Sequence, residues 1–79
     1  MYLDVIDVKP LENYILLLTF ENGEKRKFDV KPYFSKGIFT ELKNEDVFKS
    51  VKVAFGTVEW CNKADIDPEE LYKESILVE

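Results

Sequence analysis

The sequence has 79 residues, of which 46% are hydrophobic and 14% aromatic, and its 16 acidic side chains outnumber the 11 basic ones. This apolar content is too high for a disordered chain, so an ordered domain is expected. The net charge of −5 argues against direct binding to a nucleic-acid backbone and favours a basic protein partner. We expect one domain spanning residues 1–79 with a small core, because so short a chain buries only about 60–65% of its unfolded surface.

Neither a secretory signal peptide nor a membrane-spanning segment is indicated. The N-terminal MYLDVIDVKP lacks a basic region followed by an apolar run, and no stretch reaches the roughly 20 apolar residues of a spanning helix. Cys61 is the single cysteine and has no partner for an internal disulfide. These features favour a cytoplasmic protein. Because only Lys63 is a nearby basic residue, we expect the Cys61 thiol to be buried and inert.

Three strands are predicted in the first half of the chain, in the segments LDVIDV, YILLLTF and KRKFDV. Between the second and third segments, Asn22-Gly23 is typical of a tight two-residue turn of type I′, which requires positive φ at both positions. The three segments therefore predict an antiparallel meander.

A two-residue turn at Asn22-Gly23 would determine which side chains oppose each other across the hairpin. On one face Leu17 would oppose Phe28. Ile15 would oppose Val30 on the same face, which is therefore the predicted core face.

The opposite face of the same strand would carry an apolar stripe beside charged residues of the next strand. The stripe consists of Tyr14, Leu16, Leu18 and Phe20. Such a stripe needs a cover, because otherwise a patch of about a few hundred Å² stays exposed. A protein partner or a second copy of the chain would provide one cover. The alternative is that the C-terminal helix or the segment IFTEL folds back over the stripe.

The second half of the chain predicts helical turns, two short strands and a final helix. KPYFSKG is expected to be a loop, and the apolar spacing after it indicates a helix that begins near Asn44. Phe55-Gly56 marks either a turn or a bulge between two short strands, and the last helix begins at about Pro68. The predicted fold class is α+β, with a small antiparallel or mixed sheet: a three-strand meander, a helical segment, two short strands and a C-terminal helix.

The segment CNKADIDPEELY contains a thiol and four carboxylates, a composition that suggests either an ion site or a helix start. Asp67, Pro68 and Glu70 stand in the order of an N-cap, a first-turn proline and the acid of a capping box. We expect Asp67 to cap the helix and Asp65 to bond backbone amides in the turn before it. A calcium loop of the EF-hand type is not indicated, because Pro68 stands in the middle of the stretch, where no central glycine exists.

The commonest catalytic and metal-binding groups are missing from this sequence. It has no histidine, and its three glycines are isolated, so neither a histidine-based site nor a phosphate-binding loop can be built. No cofactor and no metal are expected. Carboxylate pairs remain as candidate acids and bases, although acidic residues at this density usually form a solvated face. The pairs are Asp4 with Asp7, Glu41 with Glu45 or Asp46, and Asp65 with Asp67.

One hydrophobic core is expected to collect the large apolar side chains. A tryptophan in so small a domain is more often part of the core than an exposed recognition residue. The expected core residues are Phe28, Phe39, Leu42, Phe48, Val58, Trp60, Leu71 and Tyr72.

Several short motifs cover almost the whole chain in a fixed order. A basic-Phe-Asp strand end precedes Gly-x-Phe-x-x-Leu, a Phe before a Val, Gly-x-Val-x-Trp and Asp-Ile-x-Pro-Glu-x-Leu-Tyr. The motif residues are Lys27, Phe28, Asp29, Gly37, Phe39, Leu42, Phe48, Val51, Gly56, Val58, Trp60, Asp65, Ile66, Pro68, Glu69, Leu71 and Tyr72. This combination resembles the small prokaryotic family catalogued as domain of unknown function 2442. The sequence departs from the family pattern at Cys61 and Lys63, which flank Asn62 where other small or polar residues are expected, such as Gly after the Asn.

The resemblance implies an α+β fold and a cytoplasmic prokaryotic protein whose biochemical role is unassigned. Members of that family occur alone or attached to DNA-binding helix-turn-helix segments, and some resemble the antitoxin half of paired toxin–antitoxin genes. The present sequence shows neither a helix-turn-helix pattern nor a basic stripe, so contact with DNA would require a partner chain.

Two functions of different classes are compatible with the sequence. The first is a protein–protein interaction module, which the negative charge, the missing catalytic groups and the apolar stripe favour. The alternative is a minimal ligand-binding domain or carboxylate-dependent enzyme around Asp29, Asp65 and Asp67, which requires a concave pocket with at least two converging acids. We expect the first, with another protein or a second copy as the partner and with neither nucleic acid nor membrane.

Overall fold

Six strands and two short α-helices are present in residues 3–78, the part of the chain that the computed structural model describes. Three 3₁₀ turns connect them, at Glu12–Tyr14, Lys31–Tyr33 and Gly37–Lys43. None of the helices in this part of the chain is long and apolar enough to span a membrane. The strands are β1 (Val5–Pro10), β2 (Ile15–Phe20), β3 (Lys25–Asp29), β4 (Lys52–Ala54), β5 (Thr57–Glu59) and β6 (Ile76–Leu77), and the helices are α1 (Glu45–Phe48) and α2 (Pro68–Glu74).

The strands form two separate antiparallel sheets. The larger sheet has the order β1-β2-β3-β6, and β4 pairs with β5 in a second sheet. The fold class is α+β, with the predicted meander, helical segment, strand pair and C-terminal helix in the predicted order. The short strand β6, which returns after α2 and pairs with β3, was not predicted, because two residues carry no readable strand pattern.

The register of the β2–β3 hairpin differs by one residue from the prediction. The amide of Gly23 donates to the Phe20 carbonyl at 2.9 Å, and the amide of Phe20 donates to the Glu24 carbonyl at 2.9 Å. The loop therefore has three residues, with Gly23 in the left-handed region at φ +89°, as in a type I turn followed by a bulge. Phe28 consequently opposes Leu16, rather than Leu17 as predicted.

The one-residue shift exchanges the two faces of β2. Leu16, Leu18 and Phe20 are 0% exposed, so the stripe predicted as a docking surface is part of the core. The opposite face, which was predicted to be core, carries Ile15 and Leu17 and is only half-buried. The predicted core face is therefore wrong.

The stripe is covered from within the chain, as the alternative interpretation proposed. The Phe20 ring packs edge-on against Tyr72 of α2, with ring centroids 5.1 Å apart. The half-buried Tyr14 ring packs edge-on against Phe34 and Phe48, at 5.0 and 5.2 Å, and its hydroxyl donates to the Lys43 carbonyl. Helix α2 and the α1 region therefore occupy the face that a partner would have needed.

Trp60 lies at the centre of the core and is 0% exposed. Its indole Nε1–H donates to the Phe48 carbonyl at 3.1 Å, which satisfies the one polar atom of the side chain. Phe39 and Tyr72 are half-buried against the same core. The other expected members are fully buried: Phe28, Leu42, Phe48, Val58 and Leu71.

A polar network attaches the C-terminal segment to β3. Arg26 Nε donates to the buried Ser75 hydroxyl at 2.7 Å, and the guanidinium lies 4.2 Å from the centre of the Tyr72 ring. The Tyr72 hydroxyl donates to Glu24 at 2.9 Å, and this hydrogen bond lowers the pKa of Glu24 from its ordinary value. The network explains why the chain returns to the sheet after α2.

Candidate functional site

The carboxylates of the CNKADIDPEELY segment act mainly as structural groups. Asp67 Oδ1 accepts a hydrogen bond from the Glu69 amide at 2.9 Å, and Pro68 is the first residue of α2, so the predicted cap is confirmed. Glu70 does not complete the capping box, because its carboxylate instead accepts the Tyr33 hydroxyl. Asp65 is exposed, and within residues 3–78 its carboxylate makes none of the predicted bonds to backbone amides.

Replacement of Asp67 by alanine is expected to lower the free energy of unfolding by about 1 kcal/mol, because it removes an N-cap acceptor. Asp67→Asn should retain most of the stability, and Asp65→Ala should remain within about 0.5 kcal/mol of the wild type. Urea denaturation of the three variants measures these differences. A melting temperature that calcium, magnesium or manganese raises by several degrees would contradict the structural role of Asp67.

The three aspartates of the alternative function line different parts of the surface. Asp29 borders a groove of about 290 Å³ with Tyr33 and Glu70, and a second groove on the sheet. Asp67 borders a groove of about 350 Å³ along α2, and Asp65 lines none of these three grooves. The predicted triad is therefore not brought together.

Several acidic side chains lie on α2 or line a groove beside it, but most of them have partners within the chain. Glu69 forms an ion pair with Lys73 at 3.1 Å, and Asp29 forms one with Lys31 at 3.1 Å. Burial raises the pKa of the Tyr33 hydroxyl, and its hydrogen bond to the Glu70 carboxylate raises it further. No group of three or more histidine, cysteine or acidic side chains within residues 3–78 is arranged to hold a metal ion.

Cys61 is exposed, so the prediction of a buried thiol is wrong. Strand β5 ends at Glu59, and the backbone turns outward immediately after Trp60 enters the core. The Cys61 amide donates to the Ser50 hydroxyl at 3.1 Å, and the Cys61 side chain is exposed. Lys63 follows in the left-handed region at φ +72°, at the position where the family pattern predicts glycine.

Phe55 is the most unusual residue on the surface that the structure describes. Ala54 pairs with Thr57, so the β4–β5 hairpin turns through Phe55 and Gly56 alone. Both residues have positive φ, at +53° and +78°, which is the geometry of a type I′ turn. The Phe55 side chain is 97% exposed. The sequence predicted a turn or a bulge here but not the exposed aromatic ring at its tip.

The hairpin tip is held firmly against β1. The Val5 amide donates to the Gly56 carbonyl at 2.9 Å. Glycine suits this position because φ is positive, and a Cβ atom there would lie 2.5 Å from Asp4 Oδ1 and displace that carboxylate. Asp4 is in turn bonded to Glu21, whose amide donates to the Asp4 carbonyl at 2.9 Å. The exposed Phe55 therefore precedes a glycine that lies against Asp4, and Asp4 is bonded in turn to Glu21.

The four-stranded sheet with its covering helix and the separate β4–β5 hairpin define a small α+β domain, which carries an exposed aromatic side chain at the hairpin tip. The chain belongs to the family described as Protein of unknown function (DUF2442), whose profile matches residues 5–76. The match extends from the first residue of β1 to the first residue of β6. Comparison with curated proteins and with solved structures finds no match to either.

Proposed function

We propose that this domain is a non-enzymatic protein–protein interaction module and that Phe55 is its anchor. The observation that carries the proposal is the combination of a left-handed backbone and a side chain that is 97% exposed at Phe55. The turn needs the left-handed backbone but not a phenylalanine, and a side chain that is 97% exposed adds little to the core. Strained residues and exposed aromatic groups are instead typical of binding sites.

The energetic argument is that Phe55 reduces stability where a commoner turn residue would not. A left-handed conformation costs a bulky side chain about 1 kcal/mol or more, whereas asparagine and glycine adopt it readily. The exposed ring also forgoes the roughly 1.5–3 kcal/mol that burial of a phenylalanine provides. Insertion of the ring into an apolar pocket of a partner would recover this second contribution.

The surroundings of Phe55 indicate the chemistry of the partner. Asp4 and Glu21 are exposed beside the hairpin tip, and the chain as a whole has a net charge of −5. Ile6, which is 59% exposed, follows Val5 on the strand that holds the tip. We therefore propose a partner with an apolar pocket surrounded by lysine or arginine side chains, because opposite charges favour both encounter and orientation.

The proposal includes a cytoplasmic location, which an exposed free thiol supports, because an exposed cysteine is stable in a reducing compartment. An antitoxin-like member of a gene pair would be one such module. The product of the neighbouring gene is therefore the first protein to test as a partner.

Replacement of Phe55 by asparagine is expected to separate stability from binding. Asparagine tolerates positive φ, so the melting temperature should rise by about 4–8 °C, which corresponds to about 1 kcal/mol in a domain of this size. Affinity for the partner should fall at least about 30-fold, the effect of losing a binding hot spot. Calorimetry of binding and thermal denaturation of the same samples measure both quantities.

The partner for this experiment is first isolated with the wild-type domain, identified and purified. Ile38→Asn is the matched control, because Ile38 is also an exposed apolar residue but lies outside the hairpin. It should bind the partner as the wild type does. An unchanged affinity of the Phe55→Asn variant, or a lower melting temperature, would show that Phe55 has no role as an anchor.

A further inference from the structure

One face of the large sheet is covered by α2 and the core, and no other element in residues 3–78 covers the opposite face. Residues that oppose each other in antiparallel strands project to the same side of the sheet. Leu17 opposes Lys9 on β1 and Lys27 on β3, and Lys27 opposes Ile76 on β6. A neighbouring row of the same face contains Ile15 and Asp29. We call this side, with the loop residues at its end, the outer sheet face.

The outer sheet face is more apolar than a solvated face of an antiparallel sheet usually is. Ile76 is 74% exposed, Val78 is 47% exposed, and Leu11 is 37% exposed at the end of β1. Ile15 and Leu17 are half-buried between them. Strand β2 is therefore apolar on both sides, a pattern typical of strands that are covered on both faces.

Charges on the outer sheet face are separated along the strand direction. Glu12, Asp29 and Glu74 surround a groove of about 620 Å³ at one end of the face. Lys9 and Lys27 flank Leu17 in the middle, and Lys25 lies further along β3. A surface that carries both signs at different positions can be complementary to a rotated copy of itself.

We propose that the outer sheet face binds a second copy of this chain in a two-fold symmetric dimer. The two-fold axis runs across the strands, between the Leu17 row and the Ile15 row. This rotation places Leu17 of one copy over Ile15 of the other, and Lys27 over Asp29. Because a two-fold contact repeats each pair, every favourable contact occurs twice.

The distribution of charge on the outer sheet face is compatible with a second copy. Two chains with a net charge of −5 each repel through most of their surface, but the outer sheet face carries Lys9, Lys25 and Lys27 as well as Asp7 and Asp29, so acids and lysines are both available to face a second copy. The rotation also places Lys9 over the end of β1, where Leu11 and Glu12 lie. Lys9 and Lys27 do not face their own copies in this arrangement. A two-fold axis along the Leu17 row would place each of them over its own copy.

The dimer is expected to be weak. The four strands have six, six, five and two residues, and at about 3.4 Å per residue and 4.8 Å between strands they offer roughly 300 Å² from each copy. The total is below the roughly 1,200 Å² of a stable interface, so association should depend on concentration in the micromolar to millimolar range. The dimer goes beyond the interaction proposed for Phe55 and does not depend on it.

Sedimentation equilibrium between about 10 μM and 1 mM tests the proposal, with micromolar to millimolar association expected for so small an interface. The apparent mass of the wild type should rise from 9.3 kDa toward twice that value. Leu17→Lys should remain at the monomer mass at every concentration while its circular dichroism is unchanged. Phe55→Asn, the control at a separate surface, should dimerise as the wild type does. A wild type that stays monomeric throughout, or a Leu17→Lys variant that still dimerises, would overturn the proposal.

A charge exchange tests the orientation and does not alter the apolar residues. Lys9→Glu and Glu12→Lys are both substitutions of exposed side chains. Each alone should weaken dimerisation about 5–30-fold, because each charge pair occurs twice and exposed pairs contribute modestly. The double variant restores opposite charges across the axis. Its dimer dissociation constant should therefore lie within about 3-fold of the wild-type value, because the effects of two substitutions that contact each other are not additive. A double variant weaker than both single variants would show that the copies are not related in this way.

Discussion

Replacement of Trp60 by alanine is expected to remove about 3–5 kcal/mol from the free energy of unfolding, the range measured for truncation of large buried aromatic residues. The indole ring is 0% exposed and packs edge-on against Phe39, with ring centroids 6.3 Å apart. The substitution also removes the indole donor to the Phe48 carbonyl, which then keeps only the longer hydrogen bond from the Val51 amide at 3.4 Å. A domain of this length has a total stability of only about 4–12 kcal/mol, so much of it would be lost.

Guanidinium denaturation followed by circular dichroism measures the effect. Phe55→Ala is the matched control, because it removes a similar ring from the surface and should not destabilise the fold. A Trp60→Ala variant that unfolds cooperatively within about 1 kcal/mol of the wild type would contradict the central position of Trp60 in the core.

Leu18→Lys and Leu17→Lys are expected to behave in opposite ways, although the two positions are adjacent. Leu18 is fully buried, so lysine there places an unpaired charge in the core, and we expect the domain not to fold. Leu17 lies on the outer sheet face, where the lysine side chain can reach solvent, and we expect its variant to fold.

Proton NMR spectra of the two variants distinguish the possible registers directly. Dispersed methyl and amide signals are expected for Leu17→Lys and collapsed signals for Leu18→Lys. The reverse result would mean that the hairpin has a two-residue turn, with Leu17 facing the core.

The register of the β2–β3 hairpin could not be predicted from the sequence. Asn22-Gly23 is compatible with a two-residue turn and also with the three-residue loop that the structure contains. The segment ILLL is apolar in both phases of the strand period, so hydrophobic alternation does not select between the two loops. Packing selected the register, because Arg26 then reaches Ser75 and Tyr72.

Exposure at single positions was likewise not readable from local patterns. The position of Cys61 depends on a backbone turn that the Ser50 hydroxyl stabilises from eleven residues away. The stripe of β2 is covered by Tyr72, which lies far along the chain from Phe20. The sequence did indicate a turn or a bulge at Phe55-Gly56, but the structure was needed to show a type I′ turn with an exposed ring at its tip.

By itself, the sequence determined the order of the elements, the α+β class, the family and the local signals at element ends. Asn44 and Asp67 cap the helices because each needs only an amide two residues away, and Gly56 forms its turn with its immediate neighbours. The tertiary structure alone decided the register of the hairpin, the pairing of β6, the face of β2 that became core and the exposure of Cys61. The physical reason is range: caps and tight turns depend on atoms a few bonds apart, whereas register and burial depend on which distant side chains fill the same space.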